Sequence, residues 1–234
     1  MITTDFVPGA PAWLELGTSD EAAAAEFFGA VLGWEYHPAG TPGSGVFTRG
    51  GLAVAGHVAA QASSWTVHFA AIGPGSPPRL TDPHGAEVGV WMASTAPAEP
   101  GGPQPPGGAG LGAVSTPGAL TWIELHSPAP SASASFYRAL FGWEIQLIPG
   151  APGQFLAPAG AGPGRMFGAI VADAQAFWLP YFEVADVDRA AASAPVLLAP
   201  HDLDDVGRIA VLVDPFGARF GVMRSVTTES LPKS

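Results

Sequence analysis

The sequence predicts an α+β protein made of two tandem βαβββ modules, the first trimmed relative to the second. Three observations predict it. Residues 13–35, WLELGTSDEAAAAEFFGAVLGWE, recur as residues 122–144, WIELHSPAPSASASFYRALFGWE. Trp13, Glu15, Leu16, Phe27, Gly33, Trp34 and Glu35 match Trp122, Glu124, Leu125, Phe136, Gly142, Trp143 and Glu144 at one ungapped offset of 109, which marks duplication rather than shared composition. Each half also closes on an Asp-Pro-x-Gly turn leading into a strand, TDPHGAEVGVW (81–91) and VDPFGARFGVM (213–223). Between the halves, residues 94–118 hold so much Pro, Gly and Ala that an extended, mobile linker without a core is expected. The division is a first module over 1–93, the linker over 94–118, a second module over 119–225 and a tail over 226–234.

The elements follow from local pattern. WLELGT (13–18) alternates, with Leu14, Leu16 and Thr18 on one side and Trp13, Glu15 and Gly17 on the other, as a half-buried strand does. Asp20 suits a helix N-cap, and the Ala-rich run to Leu32 has high helix propensity. Phe27, Phe28, Val31 and Leu32 form its apolar stripe, and Gly33 fits a left-handed stop. Strands are expected at 45–49, 52–58, 64–72 and after the Asp82-Pro83 turn. The second half repeats the order: a strand over 120–126, a helix over about 131–141, the Gly142 stop, then FLAPAG, RMFGAIV and FWLPYFEV. The offset between the closing turns is 132 rather than 109. Most of the excess lies at 185–209, where a short helix and a strand approach have no equal in the first half.

Composition narrows the function. A net charge of −11 with only 9 Lys+Arg argues against nucleic-acid or anionic-membrane partners, which require a basic patch. The absence of cysteine removes disulfides, thiolate nucleophiles and Cys-ligated metals. The N-terminal MITTDFVPG has no basic segment followed by an apolar run, and no run approaches the length of a membrane span. A cytoplasmic protein is expected.

The pattern FFGAVLGW with DPHGAEVGV, repeated as FYRALFGW with DPFGARFGV, resembles the vicinal oxygen chelate superfamily of glyoxalases, bleomycin-resistance proteins and extradiol dioxygenases. The W-x-E-L start and GWE ending are similar to an actinobacterial tandem branch labelled hydroxylase or glyoxalase-like. The resemblance implies a cup-shaped sheet in each module and three metal-ligand positions per site. One lies seven residues before the Asp that starts the helix, one seven before an Asp-Val, and one four after the Gly of the Asp-Pro-x-Gly turn. These positions fall on Trp13, Thr66 and Gly89, and on Trp122, Leu179 and Gly221, Thr66 being placed through its repeat partner because the first module lacks the Asp-Val. None carries a side chain able to hold a divalent metal, so no metal and no cofactor are expected.

Strand alternation gives the residues that share the cup face. Trp13, Trp91, Trp122, His126, Tyr181, Glu183, Arg219 and Met223 are candidates for ligand binding, because indole and phenol rings offer flat apolar area with a polar handle. Glu15, Glu124 and His68 are candidate acids or bases. The structural alternatives are a Glu124–Arg219 ion pair, a Glu15 that caps backbone or faces solvent, and a Trp13/Trp122 pair that fills the space of the metal. His37, His57 and His201 are expected on loops or edges, the cluster His201, Asp202, Asp204 and Asp205 as a solvated turn, and Asp82 and Asp214 as turn residues. The function expected is binding of a small organic, aromatic or conjugated molecule by a monomer or homodimer. The alternatives are a lyase, isomerase or oxygenase on the same fold, metal-free with a cup carboxylate or using a non-standard divalent metal site, and a scaffold with filled cups.

Overall fold

The computed structural model describes residues 2–71, 79–92, 110–162 and 164–226. The first half runs β1 (Pro11–Thr18), α1 (Glu21–Leu32), β2 (Glu35–Pro38), β3 (Ser44–Arg49) and β4 (Leu52–Ala59), then β5 (Ser64–Ala71), β6 (Arg79–Thr81) and β7 (Glu87–Met92). The second runs β8 (Leu120–Ser127), α2 (Pro130–Phe141), β9 (Glu144–Leu147), β10 (Gln154–Ala157) and β11 (Gly168–Ala172), then β12 (Phe177–Glu183), α3 (Val187–Ala191), β13 (Val196–Leu203), β14 (Gly207–Val213) and β15 (Arg219–Ser225). The two tandem modules are therefore present. In the second, the βαβββ order β8-α2-β9-β10-β11 is followed by another, β12-α3-β13-β14-β15. In the first, only β5, β6 and β7 follow β4 among the described residues, so the trimming falls on the counterparts of α3 and β13.

Each half makes one sheet. The strand orders are β2-β3-β4-β1-β5-β7-β6 and β13-β14-β15-β12-β8-β11-β10-β9. In both, the first strand of the half lies near the centre, parallel to one neighbour and antiparallel to the other. The caps are those the sequence predicts. Asp20 accepts from the Ala23 amide at 3.0 Å, and Gly33 and Gly142 stop their helices at φ 70° and 72°. The N-cap position of α2 is held by Ala129, which offers no side-chain cap.

The helix-facing residues Leu14, Leu16, Val67, Phe69, Phe182, Phe220 and Val222 are buried as expected, and they belong to one core shared by both halves. Phe28 of α1 packs against Phe220, Trp34 meets Phe182 edge-on, and Trp143 meets Phe69. The indole N–H of Trp34 donates to the Gly118 carbonyl, and that of Trp143 to the Gly9 carbonyl, each at 2.6 Å. Both Asp-Pro turns tie in as well. The Asp82 carboxylate accepts from the His84 and Ala86 amides and, at 3.4 Å, from the Tyr137 hydroxyl; Asp214 accepts from the Phe216 and Ala218 amides and from Ser63.

Two expectations change here. Residues 94–109 lie outside the described residues, but 110–118 are packed rather than free: Leu111 is buried, and the Leu111 and Gly112 amides donate to the Ala12 and Ala53 carbonyls. His57 is not a loop or edge residue. It sits on the interior strand β4, buried, because β4 is flanked by β3 and β1. His37 and His201 do lie on edge strands, β2 and β13. No helix among the described residues is long and apolar enough to cross a membrane.

Candidate functional site

One face of each sheet carries the residues picked out by alternation. In the first sheet Trp13 pairs with His68, and His68 with Gly89, so the three stand abreast. In the second, Trp122 pairs with Tyr181 and Tyr181 with Gly221. The glycines explain what fills the row. A Cβ on Gly89 would lie 2.1 Å from His68 Nδ1, and one on Gly221 2.0 Å from the Tyr181 ring. Each ring lies flat across the bare backbone of the next strand, covering the place where the superfamily's third ligand would project.

The first concave face is closed by its own side chains. Trp13 is 1% exposed and stacks on Trp91 at 5.4 Å, with His68 edge-on to Trp91. Glu15 is buried in an ion pair with Arg79, which also donates to Thr66 at 2.8 Å. Glu15 therefore neither caps backbone nor faces solvent. Burial lowers the His68 pKa to about 4, so it is neutral at neutral pH.

The second face is more open. Leu179, Tyr181, Ile209 and Met223 form a buried floor, and Trp122, Phe177 and Val211 pack over it while staying partly exposed. Trp122 also faces Phe155, ring centroids 6.2 Å apart. Across this floor runs a polar chain. The Tyr181 hydroxyl donates to Glu124 Oε2 at 3.0 Å; His126 Nε2 stands 3.6 Å from the same oxygen, and His126 Nδ1 is 2.8 Å from Asp173 Oδ2. Burial alone would lower the His126 pKa, but hydrogen bonding and Coulombic attraction to Glu124 and Asp173 outweigh it and hold the imidazole above its ordinary value. Burial, reinforced by the Glu124 charge, keeps the Tyr181 phenol protonated far above neutral pH. His126 stacks on Phe177 at 4.3 Å and 12°.

Glu124 thus meets Tyr181 and His126 rather than Arg219. The Arg219 guanidinium lies over the Phe177 ring, 4.9 Å from its centroid, and donates to Gln175 at 3.4 Å. Glu183 is taken up at the strand end, where both its oxygens accept from Ser225. Asp173 escaped sequence reading because it lies in the β11–β12 connection, outside any alternating run. Asp204 and Asp205 form an exposed turn, as expected, whereas His201 and Asp202 lie on strand β13, where Asp202 pairs with Arg208, as does Asp188 of α3.

A metal of the superfamily kind does not fit these residues. The first and third ligand positions of each half hold an indole and a glycine overlain by a ring, and the second hold Thr66 and Leu179. Among the described residues, no three His, Cys, Asp or Glu side chains gather as a metal group.

Comparison with known proteins agrees with the fold. Solved structures that superpose on nearly the whole chain include a dioxygenase, LapB, of Pseudomonas sp. KL28 (TM-score 0.61, 14% identity, 98% of each chain). They also include a Mn(II)-bound glyoxalase of Novosphingobium aromaticivorans (TM-score 0.56, 16% identity, 97% of this chain and 87% of that one). The fold of the chain is thus the one these glyoxalase and dioxygenase structures share. Among curated proteins, the chain is 29% identical to CFP32 of Mycobacterium tuberculosis, a protein given the name of a glyoxylase, over 94% of this chain and 97% of that one. It is 26% identical to the anthracycline biosynthesis protein DauV of Streptomyces sp. strain C5, over 94% of each. No family model matches.

Proposed function

We propose that the protein binds a small aromatic or conjugated molecule on the concave face of the second module, without the divalent metal of its superfamily. The observation that carries this reading is the contrast between the faces. Trp13, Trp91 and His68 fill the first, whereas Trp122 and Phe177 of the second remain partly exposed above an apolar floor that holds one half-buried carboxylate, Glu124. Flat aromatic walls with a few placed polar groups suit a planar ligand. Titrating a panel of aromatic compounds against intrinsic Trp fluorescence tests it. Saturable quenching that Trp122→Ala abolishes is expected; silence across the panel, or quenching indifferent to Trp122, would overturn it.

The Tyr181–Glu124–His126–Asp173 chain favours a second reading, a metal-free enzyme in which Glu124 takes or gives a proton and Tyr181 and His126 hold its carboxylate in place. Conversion of a bound compound by wild type but not by Glu124→Gln would support it, and unchanged turnover in that variant would exclude Glu124 from the chemistry.

A further inference from the structure

Glu124 uses only one of its two oxygens. Oε2 accepts from Tyr181 and faces His126, while Oε1 has no partner among the described residues and the side chain is 22% exposed. The surroundings are also short of positive charge. Among the described residues, His126 is the one cation within ion-pair distance of Glu124, and it is shared with Asp173. With His126 protonated, the trio of Glu124, His126 and Asp173 still carries one net negative charge; with it neutral, two. Arg219 is engaged elsewhere, over the Phe177 ring and on the Gln175 side-chain oxygen. A bound molecule therefore meets an acceptor with spare capacity, a local excess of negative charge and the partly exposed rings of Trp122 and Phe155.

We infer that the ligand of this face is a planar aromatic cation, an amine-bearing ring system whose ammonium donates to Glu124 Oε1 while the ring lies against Trp122. This rests on the reading of the second face as a ligand site and names its ligand class. A charge-assisted hydrogen bond to a half-buried carboxylate is stronger than a neutral one, and the aromatic walls add cation–π attraction. A carboxylate on the same ring would be repelled.

Isothermal titration calorimetry of the full chain with naphthalene-2-methylamine, naphthalene-2-methanol and naphthalene-2-carboxylate tests both levels separately. The amine is expected to bind about tenfold more tightly than the alcohol, with the carboxylate weakest. Glu124→Gln should bring amine and alcohol level, and Trp122→Ala should weaken both. Raising the salt concentration should erode the amine's advantage in the wild-type protein while leaving the alcohol unchanged, a readout independent of any variant's folding. Equal binding of all three with loss in Trp122→Ala would overturn the cation assignment and leave the aromatic site standing. Binding of none would overturn both.

Discussion

Gly89 and Gly221 set the character of the two concave faces, since each lets a neighbouring ring, His68 or Tyr181, lie where a side chain would project. Gly221→Ala should cost about 1–3 kcal/mol, the ordinary penalty for overpacking, because its methyl group would press on the Tyr181 ring from 2.0 Å. Gly40→Ala, with open space at the Cβ, is the neutral control, and urea denaturation of both variants gives the comparison. His68 predicts the acid limb of stability. Its folded pKa of about 4 lies below the ordinary 6.5, so the unfolded chain takes up a proton first as pH falls. Stability is then full above about pH 6.5 and declines between there and about 4, by up to about 3 kcal/mol. His68→Phe should flatten this decline in melting temperature measured from pH 7 to 4. His126 runs the other way: its raised pKa contributes stability below the unfolded value that is lost as pH rises through the folded one. At this scale the sequence shows which residues share a face, because alternation needs only the backbone. Which side chains fill the face and which stay open depends on partners such as Arg79 and Asp173, on a distant strand and in a connecting loop, and no local pattern carries that.

Among the elements, the two long helices share their stop and differ in their start. Gly33 and Gly142 both adopt the left-handed conformation, but Asp20 caps α1 and Ala129 leaves α2 without a side-chain cap. Ala129→Asp, which supplies an acceptor to the first turn, should stabilise the protein by about 0.5–1 kcal/mol, and Asp20→Ala should destabilise it by about as much, read from the midpoint of denaturation. Helices and central strands were legible because capping residues and apolar periodicity are local signals. β6 and the packing of 110–118 were not, and β13 showed only as a strand approach within 185–209. β6 is three residues long, β13 leaves Val196, Leu197 and Leu198 exposed at a sheet edge, and Leu111 is buried through contacts with distant strands. None of these has a period for the sequence to show.

For the molecule as a whole, the repeat shows two modules but not that they share one core. Trp34 and Trp143, identical by duplication, each reach across to a carbonyl near the other half's first strand, and the Asp82–Tyr137 and Asp214–Ser63 bonds join the same halves. The chain should therefore unfold in one cooperative transition, with fluorescence and far-ultraviolet circular dichroism coinciding. Two separated transitions would show that the modules are independent. The proposed function rests on the asymmetry of the pair: the face around Trp13 and Trp91 is closed by its own side chains, and that around Trp122 is partly exposed. The most direct test is an NMR titration of the 15N-labelled chain with naphthalene-2-methylamine, following the side-chain N–H signals of its seven tryptophans. Saturable shift of the Trp122 signal, with those of Trp13 and Trp91 unmoved, is the predicted result. Shifts at Trp13 and Trp91 with none at Trp122 would contradict it.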